Sequence, residues 1–526
     1  MAQMPELPTR LPLIVVPANR DDTAAKDAKL VNCYVEKEAG EYWIYKRFGT
    51  LSQANPPGVA ASGRGCVNWN GYIYAIFAGS LYRIADDLSG AWAQVGGTLD
   101  QTNGIYRFSS CLGTTRKLQL GNGVKAYNYD DANGLVEIAV DGTVHTAGAF
   151  IVDAQYTILV AGTTDFTLVG AANSTPGTVF TATGVGSGSG TATIANFPSG
   201  GFVKGWAYIN GTSYVMQQSA HIRGSDINNP AVWNPLNDIM AQIEPDLGVA
   251  LAKQLVYAVA LKQWSTEIFF DAGNAVGSPL GSVQGGKVNF GCVSADSVQD
   301  VEGTLVWVAT TRAVSIQVVA FTNLKPEVIS TAPIERLLQN ADFSVTYAWQ
   351  ARFNGHRFYV LTLTQSNLTL AYDLDEKMWW QLTDVNGNYF PYIAATYTSD
   401  HQHLLQHEST GEMYLASTNY FTDDGETITC DVITPNFDGG VRRRKSLARL
   451  ELIGDQIPGS EVKVRVNDAD YDATKWTNFR VLDQSKQRPF ITDCGTFYRR
   501  VHHFRHQSPT RMRIQAVELQ MTLGTL

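Results

Sequence analysis

The residues best suited to chemistry are few and scattered. The segment HQHLLQH places His401, His403 and His407 at spacings that share one face of an extended strand. Imidazoles in that arrangement can bind a metal, but no Asp/Glu constellation accompanies them, so an exposed hairpin rim is expected. His502, His503 and His506 lie among arginines, whose charge repels a metal ion, and read as surface or interface residues. Asp373 and Asp375 could pass for paired carboxylates. A turn explains them better, because Asp side chains satisfy nearby backbone donors. There is no G-x-S-x-G, no P-loop and no HExxH. The expectation is no catalytic, cofactor-binding or metal site, and no enzymatic activity.

One dense basic run stands out: Arg442, Arg443, Arg444 and Lys445. Such a run can contact DNA or the acidic surface of a neighbouring protein. It can equally be a solvated strand edge that charge protects from mispairing.

The elements that must carry these residues are β-strands. Asn354–Leu382 reads as three short strands: Arg357–Thr364, Leu368–Leu374 and Met378–Leu382, separated by polar turns. A lone meander cannot bury its faces, so it needs copies of itself. A tyrosine, an acidic turn and a late hydrophobic anchor recur. They are Tyr372, Asp373–Lys377 and Trp379; Tyr82, Asp86-Asp87 and Trp92; and Tyr127, Asp130-Asp131 and Val136. Looser copies occupy Val256–Phe270, Leu305–Val319 and Leu404–Leu415. The reading is an all-β chain, a β-propeller of six blades, with unrelated hairpins as the alternative.

Composition suits that reading. Of 526 residues, 17% are charged and 47 are glycine, as in a turn-rich β protein. No run of eighteen apolar residues predicts a membrane helix, and the N-terminus reads without a secretion signal. The six cysteines are dispersed, with no CxxC spacing, as buried thiols of a reducing compartment would be. The net charge of −9 is uneven: from Asp431 onward 16 Lys+Arg face 11 Asp+Glu, whereas the rest carries 24 against 38. An acidic body that lacks a phosphate-neutralising surface argues against general nucleic-acid binding.

Along the chain, four segments are expected. Residues 1–152 hold a strand at Leu11–Val16, a hairpin at Leu30–Thr50 and the first blades. Residues 153–197, almost free of charge and rich in Gly and Thr, form a small inserted β module. Its strands are predicted at Tyr156–Val160, Phe166–Val169 and Val179–Thr183, and Gly184–Gly190 is a linker by composition. Residues 198–430 carry the remaining blades, with His221–Leu236 as a loop and Thr331–Leu338 as a helix capped by Thr331. Residues 431–526 form a basic C-terminal domain resembling a β-sandwich.

The segment 221–345 carries a family resemblance. The loop at 221–236, QIEPD at 242–246, WSTEIFFDAGNAVGSPL at 264–280, FGCVSADSV at 290–298 and STAPIERLL at 330–338 occur in that order. They resemble the packaged-DNA stabilisation family of short-tailed phages, also described as tail nozzle or tail hub proteins. The inserted module departs from the family's compact members. The resemblance implies a β-propeller and a six-fold ring below the portal and its adaptor, which retains packaged DNA and conducts it at ejection. Implied partners are further copies of the chain, the adaptor proteins, tail fibres or spikes, and duplex DNA passing without sequence-specific binding. The implied location is the virion tail, after assembly in the host cytoplasm. A conduit should not grip its cargo, so protein contact is the favoured role for Arg442–Lys445. The rival expectation is a propeller glycosidase or a receptor-binding tail protein acting on host polysaccharide.

Overall fold

The computed structural model describes residues 9–13, 28–38, 40–53, 61–113, 116–138, 143–194, 197–198, 200–274 and 276–524. Seven antiparallel sheets follow one another along the chain. Six are four-stranded meanders opening at Gly63–Trp69, Arg107–Cys111, Ala207–Ile209, Gly248–Gln254, Gln299–Val301 and Thr346–Phe353. The seventh joins Tyr392–Tyr397, His403–His407 and Met413–Ser417 to Gly49–Ser52 from the far end of the sequence. The first strands of neighbouring sheets touch at every seam but that of the fourth and fifth, which share an apolar core and the Gln254–Gly303 hydrogen bond, and the seventh sheet touches the first, so the ring is closed. Apolar side chains fill each seam. Trp69 and Tyr127 lie between the first two blades, Trp307 and Val259 between the fourth and fifth, and Leu404 and Ile73 between the seventh and first.

The propeller is as expected, but it has seven blades, not six. The missing one is the third, residues 207–240. Residues 221–236, expected as a loop, form two of its strands, His221–Asp226 and Asn229–Met240. Asn228 turns between them with φ +58°. Pro230 and Pro235 sit in the blade's outermost strand, where a missing N–H costs no ladder bond on the open side.

Strand Gly49–Ser52 closes the ring by pairing Tyr414 with Ser52 and Ser417 with Gly49. Gly49 is obligatory there, because a Cβ would lie 2.3 Å from the Thr422 carbonyl oxygen.

The predicted hairpin is present as Cys33–Glu38 and Glu41–Lys46. It joins no blade. It extends a sheet with Arg513–Leu523, Lys445–Gly454 and Phe490–Thr492. A second sheet of Cys430–Ile433, Val501–His506, Glu461–Asn467 and Arg480–Asp483 faces it. This sheet continues blade six through Lys29–Val31, where Val31 pairs in parallel with Gln381. Leu447, Leu450, Val517, Val462, Val464 and Phe504 share one core between the sheets. Chain start and chain end thus build one sandwich against blades six and seven. Of the strand expected at 11–16, Leu11 and Leu13 are buried and residues 14–16 lie outside the described residues.

The inserted sheet begins at Thr143, ten residues before the expected boundary, and orders Thr143–Thr146, Thr191–Ile194, Gln155–Val160 and Val179–Thr181. It has its own core of Phe150, Tyr156, Phe166 and Phe180. Phe166–Val169 is a 3-10 turn, not a strand: Asp165 accepts from Thr167 N at its start, and Gly170, at φ 99°, ends it. Helix α1, Ala332–Gln339, follows Thr331 as expected, but the Thr331 hydroxyl makes no capping bond, and Leu337 is exposed while Ile334 and Leu338 are buried.

Candidate functional site

The basic run lies in the loop that enters strand Lys445–Gly454, at one end of the sandwich. Arg442 and Arg443 are exposed and, among the described residues, have no acidic partner. Exposed Arg444 donates Nε to Thr496 Oγ1 at 3.0 Å. Lys445 departs from the expectation. It is 1% exposed, shares the inward face with Leu447, and donates Nζ to the carbonyls of Val441, Arg443 and Tyr498 at 2.7–2.9 Å. It is a structural cation that gathers this loop, so the available surface is three arginines, not four basic residues. Tyr498, 63% exposed, stands beside them.

The histidines also depart from expectation. His401 is in a turn at φ +59°. His403 is buried against Phe353 and Tyr397 with Nε2 on the Arg352 carbonyl, and burial pushes its pKa down to about 4. His407 packs on Tyr392 and Tyr414. The three serve separate contacts, and among the described residues no group of three His, Cys, Asp or Glu could hold a metal.

His502, His503 and His506 are buried, not superficial. His502 and His506 point with Phe504 into the sandwich, and burial drives both pKa values down to about 3. His503 points the other way. Its Nδ1 accepts from Arg465 Nε at 2.9 Å, which leaves Nε2 to donate to Asp431 Oδ1 at 2.8 Å. Burial opposes ionisation of Asp431, yet the bonds from His503 and Arg505 hold its carboxyl down to about 2.

Asp373 and Asp375 do serve turns. Asp373 Oδ1 accepts from the amides of Asp375 and Glu376, and its Oδ2 pairs with His356 Nδ1 at 2.7 Å; Asp375 receives the amide and guanidinium of Arg357.

The motif residues at 242–246 and 264–280 prove structural too. Lys262 is fully buried, with Nζ 2.9 Å from Asp246 Oδ1 and 2.5 Å from Glu267 Oε1. Asp246 also accepts from the amides of Trp264 and Ser265, and Glu267 from that of Ile243. This triad ties the two motifs into one corner of blade four. Sequence reasoning did not single out Lys262, although a lysine inside the apolar run YAVALK was the available signal.

At the propeller axis, four first strands line a cavity of about 360 Å³ that includes Arg107, Ser110, Lys204, Lys253 and Asp300. Lys204 Nζ lies 2.6 Å and Arg107 3.6 Å from Asp296, and Asp300 accepts the amide of Gly303. Burial raises the Asp300 pKa. Cys33, Cys66, Cys111, Cys292 and Cys430 are buried free thiols, as expected, whereas Cys494 is half-buried; burial pushes Cys66 up to about 12. Among the described residues, no helix is long and apolar enough to cross a membrane.

A closed seven-bladed propeller, locked by an N-terminal strand and buttressed by a sandwich, is thus a scaffold whose buried charges are matched internally. The phage stabilisation family, described as "Bacteriophage P22 Gp10, beta-propeller", matches residues 44–415. The chain belongs to this family and is a structural protein of bacteriophage virions. No curated protein matches in sequence. Among solved structures, a chain of the mitotic checkpoint complex is 10% identical with a TM-score of 0.37, covering 69% of this chain and 92% of its own. The designed protein Ika8 is 11% identical with a TM-score of 0.36, covering 69% and 99%. PorZ of Porphyromonas gingivalis is 10% identical with a TM-score of 0.35, covering 83% and 46%. These likenesses carry no functional weight.

Proposed function

We propose that this chain is the tail nozzle of a short-tailed phage: a ring of copies below the portal and adaptor that retains packaged DNA and conducts it at ejection. The family match across the propeller carries the reading. In this reading the lumen lies between copies, which a heterologous interface closing on itself would provide. The excess of acid over base before Asp431 suits a wall along which DNA slides. Adaptor proteins, fibres or spikes and six-fold closure belong to the same proposal, as do Arg442, Arg443 and Arg444 as a protein-contact surface.

The test is a phage carrying a stop codon in this gene. Particles assembled without the chain should lose nuclease-protected DNA, and the purified protein should restore retention. Full retention without the chain would refute the proposal.

A further inference from the structure

The sheet containing Val501–His506 buries Leu30, Val432, Phe504, Val462, Val464 and Leu482. The alternate residues Lys29, Asp431, His503, Arg505, Lys463 and Arg465 must face away from the core. Part of that outer face is roofed by Trp476 and Phe479. The Arg465 guanidinium carbon lies 4.8 Å from the Trp476 ring centre and 4.6 Å from that of Phe479, while Arg505 lies 5.3 Å from Phe479. The acid nearest them, Asp431, is already occupied by Arg505, at 2.7 and 2.9 Å, and by His503. Arg465 has no carboxylate within ion-pair distance among the described residues and donates only Nε, to a neutral imidazole. Lys463 pairs in register with Arg505 on the same face, and Val481, 48% exposed, stands next to Lys463. Glu461 and Asp483 occupy the far end of these strands.

A guanidinium stripped of part of its water, flanked by two rings and with no carboxylate of its own at ion-pair distance among the described residues is incomplete. Arg and Trp also dominate the energetic centres of protein interfaces. The missing group is a planar carboxylate, which a guanidinium fork receives in bidentate fashion. The chain supplies carboxylates in quantity, with 38 Asp+Glu against 24 Lys+Arg before Asp431, where the sandwich region has 16 Lys+Arg against 11 Asp+Glu. We propose that the Arg465–Trp476–Phe479 stack is the docking point for a carboxylate on the acidic propeller of a second copy, so that sandwich meets propeller around the ring. This rests on the ring reading above. A duplex fits less well, since phosphate binding calls for a spaced row of cations, not one roofed fork.

The experiment measures self-association of the full chain, and its recruitment to the portal–adaptor complex, by mass photometry at 50 and 500 mM salt. Arg465→Ala should weaken ring closure at least tenfold, about 1.4 kcal/mol. Arg465→Lys should restore part of it, and wild-type closure should weaken with salt. Lys463→Glu, outside the stack, should weaken closure without touching the fold. Arg465→Ala and Lys463→Glu rings that close like wild type, with melting unchanged, would overturn the docking site while the nozzle stands. A wild type that never closes, even on the complex, would overturn both. Loss of binding to a fluorescent duplex with ring closure intact would reassign the face to nucleic acid and overturn the proposal.

Discussion

Acid should unfold this protein by way of buried imidazoles. His502 and His506 are fully buried and His403 is 3% exposed. Burial places the first two near 3 and the third near 4. A free imidazole titrates near 6.5, so between those limits the unfolded chain binds more protons than the folded one. Stability is therefore full above about pH 6.5 and falls as pH drops through that window. Each histidine contributes a slope of about 1.4 kcal/mol per pH unit, or about 2 kcal/mol between pH 8 and 5. Together the three should remove about 6 kcal/mol, most of a typical domain's stability. Two other groups act outside the window. His356 is raised: burial opposes its charge but Asp373 outweighs this, so its contribution is complete below pH 6.5 and lost only as pH rises. Asp431, held near 2, loses its contribution only below about pH 4. The assay is thermal unfolding followed by tryptophan fluorescence from pH 8 to 4.5. His502 has no protein partner at either ring nitrogen, so His502→Leu should leave the pH 8 melting point equal or higher and return about 2 kcal/mol at pH 5. Parallel wild-type and variant curves would refute the reasoning.

Three further outcomes are expected. Gly49→Ala should cost about 1–3 kcal/mol through its clash with Thr422, whereas Gly97→Ala, which meets nothing within 4 Å, should be neutral; urea midpoints decide. Lys262→Met leaves Asp246 and Glu267 buried without their cation and should cost about 3–5 kcal/mol, read as loss of soluble protein or a lowered urea midpoint. Replacing residues 143–194 by a short linker should lower propeller melting only slightly: the module has a separate core and its ends pair at Thr143 and Ile194, while the propeller loses the contacts of Lys117 and Asn229 with Asp153.

What could be read from the sequence follows periodicity. Blade six was legible because Arg357–Thr364 and Leu368–Leu374 are short runs rich in apolar and β-branched residues between polar turns, and Asp373 makes the turn its spacing suggests. Blade three was not. Its short first strand, Ala207–Ile209, offers little pattern, the register shifts near Ser225, and two prolines mimic a loop. Closure of blade seven by Gly49–Ser52 pairs residues more than 360 positions apart, which no local signal encodes. The basic run was visible, but only parity with Leu447 separates buried Lys445 from the arginines before it. The same parity, read from Phe504, would have turned His502 and His506 inward. Arg465 escaped notice because its meaning depends on Trp476, Phe479 and His503 converging across three segments.

The central claim is that copies of this chain close a ring around a lumen. Mass photometry of the purified protein, alone and with the portal–adaptor complex of the same virion, tests it most directly. A closed species near six copies, or assembly to that number only on the complex, is the predicted result. A monomer that ignores the complex would contradict it.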